Sequence, residues 1–130
     1  MYTLTLCLFI ACLLPYLSKI PLVIIMNRQP KGYDNHEPRT QAASLTGFGA
    51  RALAAHQNSF ESLIIFSSAV LTALATQHTS TTIQVMAMVH IISRCVYHVF
   101  YLLNWASLRS FIWAIGIIMS LSIMGSCLSH

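Results

Sequence analysis

Charged residues are scarce in this sequence. Lys, Arg, Asp and Glu together make up 8% of the 130 residues, whereas 56% are hydrophobic. A water-soluble domain of this length needs a largely polar surface, and seven basic and three acidic residues are too few to supply it. Lipid must therefore cover most of the outside. This excludes a soluble globular domain and predicts one integral membrane domain.

Cysteine and histidine patterns typical of metal sites are also missing. The cysteines lie singly in apolar stretches without a C-x-x-C pair, so packing is their expected role. The histidines do not form a closed ligand set by spacing, and we expect no metal. The residues concerned are Cys7, Cys12, Cys95, Cys127, His36, His56, His78, His90, His98 and His130.

A basic stripe is lacking as well, although the formal net charge is +4. Arg51, Arg94 and Arg109 lie within or at the ends of apolar segments and do not cluster along one surface. Nucleic-acid binding needs such a cluster to neutralise phosphates, so nucleic acid is excluded as a partner.

Four apolar runs are each long enough to cross a ~30 Å hydrocarbon core at about 1.5 Å per residue. They predict helices at residues 2–26, 47–76, 82–104 and 107–128. Prolines, a glycine and half of the charges mark residues 27–46 as a long polar loop, and residues 77–81 form a short turn. The sequence therefore predicts an all-α integral membrane four-helix bundle, with residues 1–130 as a single domain.

The first run could instead be a secretory signal peptide. Its start, MYTLTLCLF, carries no positive charge, and no convincing small-residue cleavage site follows, so we interpret it as a membrane helix.

Loop charges indicate the orientation in the membrane. Arg28, Lys31 and Arg39 lie in the first loop and Arg109 lies beside the third, whereas the second loop has no Lys or Arg. By the positive-inside rule, both basic loops face the cytosol and both termini face away from it. We expect a multi-pass protein of the cell (inner) membrane.

Two helices carry polar faces. On the second predicted helix, Arg51, Asn58 and Glu61 recur at helical spacing, and on the third His90, Arg94, Tyr97 or His98, and Tyr101 do the same. Counting residues from the turn between these helices puts Glu61 and Arg94 at nearly the same depth.

An ionised side chain deep in a bilayer costs ~2.5–3.5 kcal/mol or more, so we expect Glu61 and Arg94 to face the bundle interior and to pair. Such a pair either fixes helix register or forms part of a binding site. These side chains match a small anionic ligand such as glutathione. The arginines can bind its carboxylates, the glutamate can bind its ammonium group, and the amide and phenol groups can bind its peptide bonds. The same groups would admit an anionic lipid headgroup or another amino-acid conjugate.

Three segments resemble the MAPEG family, the membrane-associated proteins in eicosanoid and glutathione metabolism. ARALAAHQNSFESLIIF at 50–66 resembles the motif on the family's second helix, in which an Arg precedes an Asn and a Glu three residues apart. GYDNHEPR at 32–39 resembles the first loop of bacterial members, and SRCVYHVFYLLNWASLRS at 93–110 resembles the end of the third helix and the start of the fourth. The resemblance extends over the whole chain.

This resemblance implies a homotrimer that binds glutathione at subunit interfaces near the cytosolic face. Asn58 and Glu61 would hold the glutathione backbone and α-amine, and Arg109 and Ser110 would be the catalytic pair that stabilises the thiolate. A hydrophobic electrophile would arrive from the bilayer. The residues expected to bind glutathione, the co-substrate, are Arg51, Asn58, Glu61, Arg94, Tyr97 and Tyr101.

The sequence departs from the family pattern at two positions. Ala54 stands where several glutathione-using members have a further Arg, and Tyr97 stands where some carry His. His56 lies on another helix face from Asn58, where it would contact a neighbouring subunit or the ligand.

Three functions follow as hypotheses. The first is a membrane glutathione transferase or peroxidase, and the second is a noncatalytic lipid-binding or lipid-presenting protein of the same fold, which Ala54 favours. The third is a proton or solute carrier using Glu61 and the histidine stripe, which four helices without a discontinuous one make a distant alternative.

Overall fold

The computed structural model describes residues 1–128, which form four long helices and one short helix and include no strand. The long helices are α1 (Tyr2–Asn27), α3 (Phe48–Ala75), α4 (Thr81–Leu102) and α5 (Ala106–Ser126). All four are long and apolar enough to cross a membrane. Their limits differ from the predicted ones by one or two residues. The integral membrane four-helix bundle predicted from the sequence is confirmed.

The polar loop contains a helix that the sequence did not indicate, α2 (Pro38–Ala43). Pro38 occupies its first turn, where the missing N–H costs no hydrogen bond. The Gln41 side chain fastens α2 to the preceding loop, because Nε2 donates to the Gly32 carbonyl at 2.7 Å and Oε1 accepts from the Asp34 N–H at 2.9 Å. This loop has more fixed structure than its proline and charge content suggested.

Helix ends follow from local side chains. Ser80 caps the start of α4 by accepting from the Ile83 N–H. Asn104, just after α4, has φ +61°, the left-handed conformation that ends many helices and that Asn tolerates well. The resulting tight turn brings the start of α5 next to the end of α4.

The interior of the bundle contains two apolar clusters at different positions along the helix axes. One apolar cluster around Leu4, Phe66 and Ile123 fills the half of the bundle away from the polar loop, and a smaller one around Leu22 and Met26 lies near that loop. Buried polar groups occupy the stretch between these clusters on α3, α4 and α5. The large apolar side chains that point outward from all four helices are suited to lipid, for example Phe9, Tyr16, Ile64, Ile92, Phe111 and Ile118.

Gly116 lets α5 approach α4 closely. A Cβ added there would lie 2.8 Å from Ser93 Oγ and 3.5 Å from Arg94 Cδ. Ser93 is buried and its hydroxyl donates to the His90 carbonyl at 2.7 Å, so it has little freedom to move aside. Glycine at this position thus helps to fix Arg94.

We expect Gly116→Ala to destabilise the protein by about 1–2 kcal/mol, since overpacking typically costs ~1–3 kcal/mol and the gain in helix propensity returns only part of it. Gly125→Ala on the same helix is the matched control, because nothing lies within 4 Å of its added Cβ. It should leave stability unchanged or raise it. Thermal unfolding in detergent compares the two, and equal midpoints would show that the approach of α5 does not depend on Gly116.

Candidate functional site

The centre of the site is a chain of three side chains from two helices. Arg94 Nη2 on α4 donates to Asn58 Oδ1 on α3 at 2.5 Å, and Asn58 Nδ2 donates to Glu61 Oε2 at 2.8 Å. Both ends of the Asn58 amide are used, and only this orientation gives each partner its correct counterpart. The residue count from the sequence correctly predicted that polar groups of these two helices lie close together.

The expected direct pair between Glu61 and Arg94 is wrong, because Asn58 lies between them. Depth along the bundle was estimated from residue counts, but counting does not give the direction in which a side chain points around its helix. Asn58 is one turn from Glu61 on the same face, so its amide meets the guanidinium before the carboxylate can.

Burial differs sharply along this chain. Arg94 is 3% exposed, Asn58 is half-buried, and Glu61 is exposed on the outer surface of the single chain. The carboxylate therefore faces outward, and the expectation that it would face the interior of its own bundle is wrong. A negative charge on the outer face of a spanning helix is costly in hydrocarbon unless protein or ligand covers it.

Aromatic rings continue the chain towards the start of α5. The Arg94 guanidinium lies 4.1 Å from the Tyr97 ring centroid, within cation–π range. Tyr97 contacts Tyr101 edge to face at 5.5 Å, and Arg109 lies 4.2 Å from the Tyr101 ring. Arg94 and Arg109, which are fifteen residues apart and on different helices, are thus connected by two tyrosines in edge-to-face contact.

An open pocket of about 400 Å³ lies along this aromatic row. Tyr97 and Tyr101 form one wall and Arg109 and Ser110 form another, with Trp113 one turn further along α5. The structure therefore brings together the two residues predicted to be catalytic and two of those predicted to bind glutathione. A cation, a hydroxyl and aromatic surfaces can together accommodate an anion that carries an apolar substituent.

Arg51 lies apart from this group. Its Nε donates to the Leu102 carbonyl at 3.3 Å, so it satisfies one of the free carbonyls at the end of α4. Within residues 1–128, no contact joins it to Asn58 or Glu61. Its predicted role in ligand binding stays a prediction, and its observed role is to hold α3 against α4.

A second polar network escaped the sequence analysis. Ser59 Oγ lies 2.6 Å from His98 Nε2 and 3.1 Å from Ser18 Oγ, and His56 Nδ1 lies 2.9 Å from the Pro15 carbonyl. These contacts tie α1, α3 and α4 together inside the chain. His56 is accordingly engaged within its own subunit. Single serines in apolar helices give almost no sequence signal, because a serine contributes to the structure mainly when it is buried against a polar partner.

No group of three or more His, Cys, Asp or Glu side chains that could hold a metal occurs among residues 1–128. His130, one of the six histidines considered from the sequence, lies outside the described residues.

Comparison with known proteins gives one match. The sequence model of the MAPEG family matches residues 3–129, nearly the whole chain. No curated protein and no solved structure matches the chain. The match extends over all four spanning helices and the polar site between them, and so the chain belongs to the MAPEG family of membrane proteins of eicosanoid and glutathione metabolism.

Proposed function

We propose that this protein is a membrane-bound, glutathione-dependent transferase or peroxidase that acts on hydrophobic electrophiles. The observation that carries the proposal is the continuous row from Glu61 through Asn58, Arg94, Tyr97 and Tyr101 to Arg109. It pairs a carboxylate and an amide at one end with a cation beside an open pocket at the other.

Glutathione fits this row by its chemistry. Its α-ammonium suits the Glu61 carboxylate, its amides suit Asn58, and its two carboxylates suit the guanidinium of Arg94 and, by family resemblance, that of Arg51. This assignment leaves the thiol free to extend along the tyrosines towards Arg109 and Ser110.

At that end, the Arg109 guanidinium and the Ser110 hydroxyl stabilise the thiolate over the thiol. In the transferase reaction, the thiolate attacks an electrophilic carbon of the substrate, a carbon–sulfur bond forms, and the leaving group departs with the bonding electrons. In the peroxidase reaction, the thiolate attacks one oxygen of a hydroperoxide, a sulfur–oxygen bond forms, the O–O bond breaks, and the substrate leaves as its alcohol after protonation. A second glutathione then reduces the resulting glutathione sulfenic acid, which gives glutathione disulfide and water. Trp113 and the tyrosines supply the apolar surface that a membrane-soluble substrate requires.

A homotrimer is part of this proposal. Exposed Glu61 needs cover within the membrane, and a second copy can supply it. A larger groove of about 560 Å³ between α1, α2 and α3 carries Lys19 and Arg39, and its other lining residues include no carboxylate. Setting Glu61 of one copy towards this basic groove of the next would neutralise charge on both sides.

Native mass spectrometry should give three times the mass of the chain, and a monomer alone would contradict the arrangement.

The orientation proposed here puts the row in the cytosolic half of the inner membrane. Exposed Arg28, Lys31 and Arg39 in the first loop and Arg109 at the start of α5 support it through the positive-inside rule.

Turnover by the purified protein tests the proposed function. We expect glutathione-dependent conjugation of an activated aryl halide or glutathione-dependent reduction of a lipid hydroperoxide, and loss of that activity in Asn58→Leu. Leucine keeps the side-chain volume but leaves Arg94 and Glu61 without their bridge. Activity that persists in Asn58→Leu would remove the row from the mechanism.

A noncatalytic lipid-binding protein is the second candidate. Ala54, half-buried on α3, stands where several glutathione-using members carry an arginine, and a lost carboxylate clamp lowers binding by ~1.5–3 kcal/mol. If purified protein turns over no electrophile with glutathione and retains a bound lipid, this candidate replaces the first.

A further inference from the structure

A small cavity lies beside the Arg94 side chain, between α1, α3 and α4. Its volume is about 10 Å³, and its wall is more polar than is usual inside a membrane bundle. Ala11, Leu14 and Leu63 supply the apolar part of the wall. The polar part consists of Ser59, Ser62, His90, Arg94 and His98.

Arg94 contributes an unpaired donor to this region. Its Nη2 is bonded to Asn58, but within residues 1–128 its Nε is buried and has no hydrogen-bond partner. The side chain is 97% buried, since it is 3% exposed. A buried donor attached to a charged group is costly when it is left unpaired.

Two histidines lie in the wall, and His90 presents an acceptor. His98 Nδ1 lies 2.6 Å from the Arg94 carbonyl and His90 Nδ1 lies 2.9 Å from the Gly116 carbonyl. A carbonyl only accepts, so Nδ1 of His90 carries the proton and Nε2 of His90 is an acceptor when that ring is neutral. His98 Nε2 faces Ser59 Oγ at 2.6 Å, and His90 Nε2 faces Ser62 Oγ at 3.4 Å.

We propose that this cavity is a binding site for one water molecule, which accepts a hydrogen bond from Arg94 Nε and donates to the serine and histidine acceptors around it. A cavity of roughly 10–15 Å³ holds one water, and a buried water needs two to four polar partners. The wall supplies both the space and the partners. A larger anion does not fit in this volume.

The water completes the environment of Arg94. On one side the guanidinium donates to Asn58, and on the other it donates to the water, so that its charge is solvated within the bundle before any ligand arrives. Ser59, Ser62, His90 and His98 are therefore positioning residues for Arg94. This inference does not depend on which ligand the outer site takes.

A crystal structure at a resolution that resolves ordered water tests the proposal. In the wild type we expect a density peak about 2.7–3.2 Å from Arg94 Nε, the normal hydrogen-bond range. Ser62→Ala should keep the peak, because three other polar side chains besides Arg94 remain in the wall. Ser62→Val should lose it, because two methyl groups replace one hydroxyl and take up the space.

Ser67→Val is the matched control, since Ser67 lies on the same helix and its hydroxyl only donates to the Ile64 carbonyl. The peak should persist in it. The wild-type map decides the matter even if a variant fails to fold. Ordered water elsewhere but none at Arg94 Nε, or an Nε turned onto a protein acceptor, would overturn the proposal.

Discussion

Glu61→Gln is expected to weaken glutathione binding by roughly 10- to 100-fold, because a hydrogen bond to a charged group contributes ~1.5–3 kcal/mol and 1.4 kcal/mol is a factor of ten. Glutamine keeps the size of the side chain and can still accept from Asn58 Nδ2. The change therefore removes the negative charge with little change in packing. Isothermal titration of purified protein gives the two dissociation constants.

Glu37→Gln is the control for this experiment. Glu37 is an exposed carboxylate in the first loop, at the start of α2, and its side chain makes no capping hydrogen bond there. The substitution Glu37→Gln changes the net charge by the same amount as Glu61→Gln. An equal loss of affinity in both variants would mean that overall charge, and not the position of Glu61, determines binding.

Arg109→Ala is expected to lower kcat by roughly 10²–10³-fold, the effect of removing one group that stabilises negative charge at a reacting atom. The guanidinium lies beside the pocket and against Tyr101, so its loss leaves the thiolate without the nearest cation. Thiolate absorbance at 240 nm reports the ground state directly. We expect that absorbance to fall in the glutathione complex of the variant.

Arg28→Ala supplies the comparison, because Arg28 is an exposed arginine at the end of α1. It should leave both thiolate absorbance and turnover unchanged. If Arg109→Ala keeps full thiolate absorbance, Arg109 does not activate the thiol, and its role would be limited to packing on Tyr101.

The spanning helices could be predicted from the sequence because each is a long apolar run ended by polar residues, and a bilayer leaves few other structures for such a run. The alignment of α3 with α4 was also accessible, since the short turn after α3 fixes it, and this alignment placed Glu61 and Arg94 at nearly the same depth. The hydrophobic pattern and the chain connectivity were sufficient to predict the helices and the alignment of α3 with α4.

Side-chain direction was not accessible in the same way. The sequence suggested a direct bond from Glu61 to Arg94, and it gave no indication that Arg51 donates to the backbone of α4. In the structure Asn58 intervenes, and Arg51 turns to the Leu102 carbonyl. Both outcomes depend on rotation about the helix axis and on free backbone groups at a helix end, which residue spacing does not specify.

The serines were the most difficult to predict. Ser59 and Ser62 become part of a polar wall only because His98 and His90 meet them from another helix. Their importance lies in packing between helices that are distant in sequence, and no local pattern indicates it.

Calorimetric titration of the wild-type protein with glutathione tests the central claim most directly, namely that side chains of α3, α4 and α5 form one site for a small anionic peptide. Saturable binding, by protein that stays helical and oligomeric in detergent, is the predicted result. No binding heat across the millimolar range, from protein in that same state, would contradict it.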